Sequence, residues 1–164
     1  MSYQAKKTIT SLIASLIIFI SYFLSVLNDV SAAVIMDNDY VYWARKMLLF
    51  ILIGILINIV LHIVFHIYLS INLSVKQGTK DNKEINRKLE LEMVEDEMDK
   101  LIELKSLRVG YIVVSIGFIS ALAYLAFGSS LVIGLNIMYL SFYIGSFVEG
   151  LTNLFFYFRG IRNA

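Results

Sequence analysis

The sequence of 164 residues contains four long apolar runs, at about residues 8–27, 47–75, 109–127 and 131–158. A helix rises about 1.5 Å per residue, so about 20 apolar residues cross a hydrocarbon core about 30 Å thick. With 59% hydrophobic and 16% charged residues, the chain is too apolar for an ordinary soluble domain. The pattern predicts an all-α integral membrane protein with four transmembrane helices, forming a single domain over residues 1–164.

The residue types that are missing narrow the chemistry. The chain contains no proline, which favours unbroken helices, and no cysteine, which excludes disulfides, thiolate metal sites and cysteine nucleophiles. It also lacks a phosphate-binding glycine loop and a Gly-x-Ser-x-Gly motif. We therefore expect a protein that is not an enzyme and needs no cofactor. No basic patch dominates the chain, so we do not expect it to bind nucleic acid directly.

Basic residues predict the topology. Of the 14 Lys and Arg residues, all but Arg45 and Lys46 lie near the N-terminus, between the second and third runs, or at the C-terminus. Basic loops stay on the cytoplasmic side of a membrane, so both termini and the charged middle segment are predicted to be cytoplasmic. Residues 28–46, with Tyr40, Tyr42 and Trp43, are predicted to form an outer connector at the membrane interface.

The N-terminus admits two interpretations. Lys6 and Lys7 precede the first apolar run, and Ser31-Ala32-Ala33 resembles a signal-peptidase site. However, the run is longer than the roughly 7–15 residues of a signal-peptide core. A retained membrane helix is therefore favoured over a cleaved signal peptide.

A stripe of small and polar residues recurs every four positions in the second run. Its members are Gly54, Asn58, His62, His66 and Ser70. His66 lies ten residues before Lys76, and Glu149 in the fourth run lies ten residues before Arg159. These matched depths predict an intramembrane polar or proton site formed by His62, His66 and Glu149, with Asn58 beside them. The alternatives are hydrogen bonds that only pack helices together and, less strongly supported, a metal site.

Residues 82–108 are predicted to form a cytoplasmic amphipathic helix continuous with the third transmembrane helix, because they contain no glycine or proline. Four acidic residues would share one face of that helix: Glu92, Asp96, Asp99 and Glu103. They are candidate residues for docking a basic cytoplasmic protein, with a weak divalent-cation site or a solvated face as alternatives. Lys100, Lys105 and Arg108 approach the membrane and are predicted to contact lipid phosphates.

Residues 95–108, followed directly by an apolar run, resemble the juxtamembrane motif of small bacterial and archaeal four-span membrane proteins. That motif reads approximately Asp-Glu-Arg, then Lys, then Arg; Asp96, Glu97, Lys105 and Arg108 match it, and Met98 replaces its first arginine. The resemblance implies a bacterial or archaeal cell membrane and a partner such as a helix-turn-helix transcription regulator.

Three functions remain open from the sequence. The first is a non-enzymatic membrane sensor or regulatory module that signals to a cytoplasmic partner through the acidic helix. The second is a homo-oligomeric transporter or channel, coupled to protons through the His/Glu site. The third is a structural membrane subunit. All three place the protein in the lipid bilayer. The second requires at least a dimer, because four helices can hardly enclose both a substrate and alternating gates, and a homodimer is a predicted partner of the chain in general.

Overall fold

The computed structural model describes residues 3–31, 39–77, 87, 91, 93–128 and 130–159. Its long helices are α1 (Tyr3–Ser31), α2 (Tyr40–Gln77), α3 (Glu97–Ala126) and α4 (Leu131–Arg159). Each is long and apolar enough to cross a membrane. The predicted all-helical fold with four such helices is confirmed, and the predicted range of the fourth, 131–158, is nearly that of α4.

The second helix begins earlier than predicted. The Asp39 carboxylate accepts a hydrogen bond from the backbone N–H of Tyr42 at 3.0 Å, and the Asp39 carbonyl accepts one from Trp43. A carboxylate in this position satisfies a backbone donor that a helix start otherwise leaves without a partner. The aromatic residues assigned to the connector therefore form the first turn of α2.

The predicted uninterrupted helix over residues 82–108 is wrong at residues 94–96, which are not helical. Asp96 is extended and caps α3: its carboxylate accepts from the backbone N–H of Asp99, and the Asp99 carboxylate accepts from that of Asp96. This reciprocal capping starts a new helix among acidic side chains whose mutual repulsion disfavours a continuous one. Residues 82–86, where the predicted helix would begin, lie outside the described residues.

Packing places α1 and α4 centrally. Helix α4 packs most extensively against α3 and also against α1, α1 packs against α2, and α2 makes few contacts with α4. Small residues bring α3 and α4 together: a Cβ added to Gly117 would lie 2.1 Å from the Ser141 Cβ. Helices α2 and α3 are therefore the outer members of an open arrangement.

The helices α1, α2 and α4 share a buried hydrophobic cluster of Tyr22, Met47 and Tyr139. The fully buried Tyr22 donates its hydroxyl hydrogen to the Asn136 side-chain oxygen at 2.6 Å. Between α3 and α4, Gly128 adopts a positive φ of 73° and donates its N–H to the Leu125 carbonyl. This left-handed conformation suits glycine and turns the chain sharply back, so α4 returns alongside α3.

Candidate functional site

His66 and Glu149 do not form the predicted polar site with each other, because each contacts a different helix. The His66 Nε2 atom lies 3.4 Å from the Tyr3 hydroxyl, between α2 and α1. Glu149 lies instead against Gly110 of α3: a Cβ added to that glycine would be 2.8 Å from the Glu149 Cβ. Helix α4 packs mainly on α3, so the Glu149 carboxylate lies beside α3 and not beside the histidines of α2.

The rest of the polar stripe on α2 bonds to its own helix. The Asn58 amide donates to the Gly54 carbonyl at 3.0 Å, and His62 Nδ1 donates to the Asn58 carbonyl at 2.8 Å. Ser70 donates to the His66 carbonyl at 3.0 Å. The hydrogen bonds that these three side chains make all lie within α2, and none of them reaches Glu149.

Glu149 belongs to a different cavity, which we call the acidic pocket. It has a volume of about 210 Å³ and lies where the start of α1, the start of α3 and the end of α4 meet. Its charged lining consists of Lys7, Glu95, Asp99, Glu103 and Glu149. Four carboxyl groups thus face one ammonium group among the residues that line it.

Neutral polar residues complete the acidic pocket. They are Gln4, Thr8, Ser11, Ser15, Ser146, Asn153 and Tyr157. The Thr8 hydroxyl donates to the Asn153 side-chain oxygen at 2.9 Å, which joins α1 to α4. The Tyr157 hydroxyl donates to Asp99 at 2.7 Å, which joins α4 to the first turn of α3. Two hydrogen bonds between helices therefore hold the walls in place.

Helical spacing would have located most of this lining. On α1, positions 4, 8, 11 and 15 are polar and recur every three or four residues, as do positions 146, 149, 153 and 157 on α4. Such spacing puts side chains on one helix face. Small residues at such a spacing predict close helix packing. In the structure they instead leave room for the cavity.

Gly110 allows the Glu149 side chain to lie along α3. A Cβ at this position would come 3.3 Å from a Glu149 carboxylate oxygen and 3.0 Å from the Gly145 carbonyl. Any larger side chain would compete with the carboxylate for this space. A glycine on α3 thus determines where the carboxylate of α4 is held.

The four carboxyl groups differ in their partners. The Lys7 ammonium is 4.0 Å from Glu95, a loose and partly exposed ion pair. Asp99 accepts hydrogen bonds from Tyr157 and from the Asp96 backbone. Glu103 and the half-buried Glu149 have no hydrogen bond or ion pair within the described parts of the chain. Their negative charges are left without compensation, an arrangement that favours a proton or a cation nearby.

The residues predicted to dock a partner occupy different places. Glu92 lies outside the described residues, Asp96 caps α3, and Asp99 and Glu103 line the acidic pocket. Docking through this segment stays a prediction, now centred on its exposed residues, such as Glu97.

The residues predicted to anchor to lipid phosphates all lie on α3. Lys100 and Arg108 are exposed, and Lys105 is half-buried. None of the three forms a salt bridge with another residue that the structure describes. Their contact with lipid stays a prediction.

A metal centre finds no support in the geometry. Throughout the described ranges, no three His, Asp or Glu side chains converge closely enough to hold one metal ion. The carboxylates of the acidic pocket are therefore spread around its wall rather than focused on a point.

The opposite end of the molecule has its own polar cluster. Lys46 of α2 forms an ion pair with Asp29 of α1, donates to the Ser25 carbonyl, and lies 5.1 Å from the Trp43 ring centre. The positive charge of Lys46 is thus balanced by the carboxylate of Asp29. One of the two basic residues that disagree with the predicted topology is compensated by an acidic neighbour.

A second cavity, of about 620 Å³, lies between α1, α2 and α4. Ile and Phe side chains supply much of its wall, and Asn58 lies at its edge with its amide already bonded to α2. It lacks charged groups and offers space for apolar chains. The acidic pocket is therefore the better candidate for specific chemistry.

Comparison of the chain with protein-family models, with curated protein sequences and with solved structures finds no match. The geometry of the acidic pocket and the composition of the helices therefore carry the functional proposal.

Proposed function

We propose that this protein is a non-enzymatic membrane sensor that signals to a cytoplasmic partner from the start of α3. In this proposal the four apolar helices span a bacterial or archaeal cell membrane. Both termini and the acidic segment, which we define as residues 90–99, lie in the cytoplasm. The distribution of Lys and Arg supports that orientation. The pairing of Lys46 with Asp29 is compatible with it.

One observation carries the proposal: the acidic pocket joins a carboxylate of a membrane-type helix to the beginning of the helix that follows the acidic segment. Glu149 belongs to α4, whereas Asp99 and Glu103 belong to the first turns of α3. Neutralising the pocket would relieve repulsion between α3 and α4 at this end. The capped start of α3 would then move relative to α4. The exposed residues beside it would move as well, which would alter the surface that the cytoplasmic partner binds.

The transporter hypothesis has weaker support. It depended on histidines of α2 and Glu149 forming one titratable site, and they face different neighbours. Helices α3 and α4 also pack tightly beyond the acidic pocket, where Gly117 meets Ser141. A transport route along this interface would need the two helices to separate.

Site-specific photo-crosslinking in membranes of the source cells tests the proposal. A photoreactive phenylalanine replaces Met98, which is 50% exposed at the start of α3, in wild-type, Glu149→Gln and Glu103→Gln backgrounds. We expect a protein adduct whose yield changes when either carboxylate is neutralised. The same probe at Phe127, which is 89% exposed at the other end of α3, should not form it. Adducts with lipid alone, or equal yields in all backgrounds, would contradict the proposal.

A further inference from the structure

We infer that the acidic pocket binds a primary ammonium group, as carried by a small organic amine. This inference deepens the proposed function by naming the class of signal, and its signalling consequence rests on that function. The binding itself depends only on the residues that line the cavity.

Charge is the first observation. The carboxylates of Glu103 and Glu149 line the acidic pocket without a basic partner among the described residues, and Lys7 is already placed beside Glu95. Glu103 is exposed and Glu149 is half-buried, so the unfavourable term that they share is the repulsion between two carboxylates facing one cavity, and a bound cation relieves it. The pocket therefore selects for positive charge.

Gln4 is the second and independent observation. It is only 9% exposed, it lines the acidic pocket, and its carboxamide has no hydrogen-bond partner in the described part of the chain. The only buried side-chain N or O atom without a partner among the described residues is Trp43 Nε1, so the carboxamide of Gln4 is not sealed off and can bond with an occupant of the cavity that it lines. Its oxygen can accept a hydrogen bond from an N–H donor.

The shape of the site distinguishes an ammonium group from a metal ion. A metal ion requires several ligands at one point, and the described acidic and histidine side chains do not converge in that way. An ammonium group carries three diverging N–H donors, which suit acceptors spread around a wall. The volume of about 210 Å³ leaves space for a short alkyl chain beside the charged group.

The acceptors come from three helices. Glu149 of α4, Glu103 of α3 and Gln4 of α1 all face the cavity. An ammonium group bonded to them would draw the ends of these helices together. Binding would therefore act on the same α3 start that we propose as the output.

Calorimetric titration of the purified full chain in phosphatidylcholine nanodiscs, with 1,4-diaminobutane at low ionic strength, tests the inference. We expect saturable binding, with the Kd raised by about tenfold or more in Glu149→Gln and in Glu103→Gln, since each loses a charge-assisted hydrogen bond. The matched control Glu97→Gln removes an exposed carboxylate outside the cavity and should leave the Kd nearly unchanged. Glu103 is exposed, so its variant keeps the test decisive if Glu149→Gln fails to fold.

Further titrations separate the sources of positive charge. Potassium and magnesium chlorides at matched ionic strength should compete only weakly with the diamine. Phosphatidylethanolamine in the nanodisc would compete with the diamine if a lipid headgroup supplies the ammonium group. No saturable binding, equal affinity in Glu149→Gln and wild type, or full displacement by magnesium would overturn the inference.

The crosslinking experiment at Met98 uses no amine. Failure of the proposed signalling function and failure of amine binding can therefore be told apart.

Discussion

Glu149 combines partial burial with the lack of a partner. Its carboxylate is held between α3 and α4 and faces the same cavity as Glu103. Ionisable groups in membrane-type helices are expensive to retain and usually serve a purpose. At this position the unfavourable free energy has two sources: the desolvation of the Glu149 carboxylate and its repulsion from the Glu103 carboxylate.

Replacing Glu149 with glutamine should therefore make the protein more stable. We expect the free energy of unfolding at neutral pH and low salt to rise by about 0.5–1 kcal/mol, because the change removes an uncompensated charge with little change in shape. Reversible unfolding in mixed detergent micelles measures the difference. Glu97→Gln is the control, since surface changes usually stay within about 0.5 kcal/mol. A clear loss of stability in Glu149→Gln would mean that the carboxylate has a partner inside the protein.

Helix α3 connects the acidic segment to the helix packing against α4. Its start is set by the reciprocal Asp96–Asp99 cap, and its middle is set by contact with α4. The two features can be perturbed separately, because the cap is exposed whereas the contact between Gly117 and Ser141 is tight.

Removing the cap with Asp96→Ala should loosen only the first turns of α3. Loss of an aspartate cap costs about 0.5–2 kcal/mol, so amide hydrogen exchange should accelerate in residues 97–101 and stay slow near Gly117. Exchange measured by mass spectrometry resolves the two regions. Asp96→Asn keeps a capping oxygen and should preserve most of the protection. Unchanged exchange in Asp96→Ala would show that the helix starts elsewhere.

Gly117→Val should separate α3 from α4. An added Cβ would lie 2.1 Å from the Ser141 Cβ, and overpacking of this kind typically costs about 1–3 kcal/mol. We expect a lower midpoint of thermal unfolding in detergent. The neighbouring change Ile116→Val, at a side chain that is 60% exposed, is the control. Equal midpoints for the two variants would contradict the packing of α3 on α4.

The whole molecule shows why sequence reasoning located the helices better than the site. A long apolar run is a one-dimensional signal, so the range of α4 followed from the sequence nearly unchanged. The pairing of His66 with Glu149 required knowledge of which helices are neighbours, and hydropathy contains no such information. Helix α4 lies between α3 and α1, which directs Glu149 toward Gly110.

The break before α3 likewise depends on side-chain contacts that hydropathy does not describe. Residues 94–96 contain no glycine or proline to signal a break, but the Asp96 carboxylate caps a new helix start there. The open arrangement leaves much of α2 exposed, including Leu48, Leu52 and Leu56. Such a surface suits lipid, and the homodimer stays a prediction.

Both the proposed signal and its proposed output require the acidic pocket to be open to water at the end of the molecule where α1 and α3 start. Because the chain has no cysteine, Glu149→Cys introduces a unique thiol. In inside-out membrane vesicles, we predict that it reacts with membrane-impermeant methanethiosulfonates, as does Met98→Cys. The cationic ethyltrimethylammonium reagent should react about tenfold or more faster than the anionic ethylsulfonate, since the remaining carboxylates attract it. Ser141→Cys, at a position 6% exposed beneath Gly117, should hardly react. A Glu149→Cys thiol that is inert to both reagents, or that prefers the anion, would contradict the account.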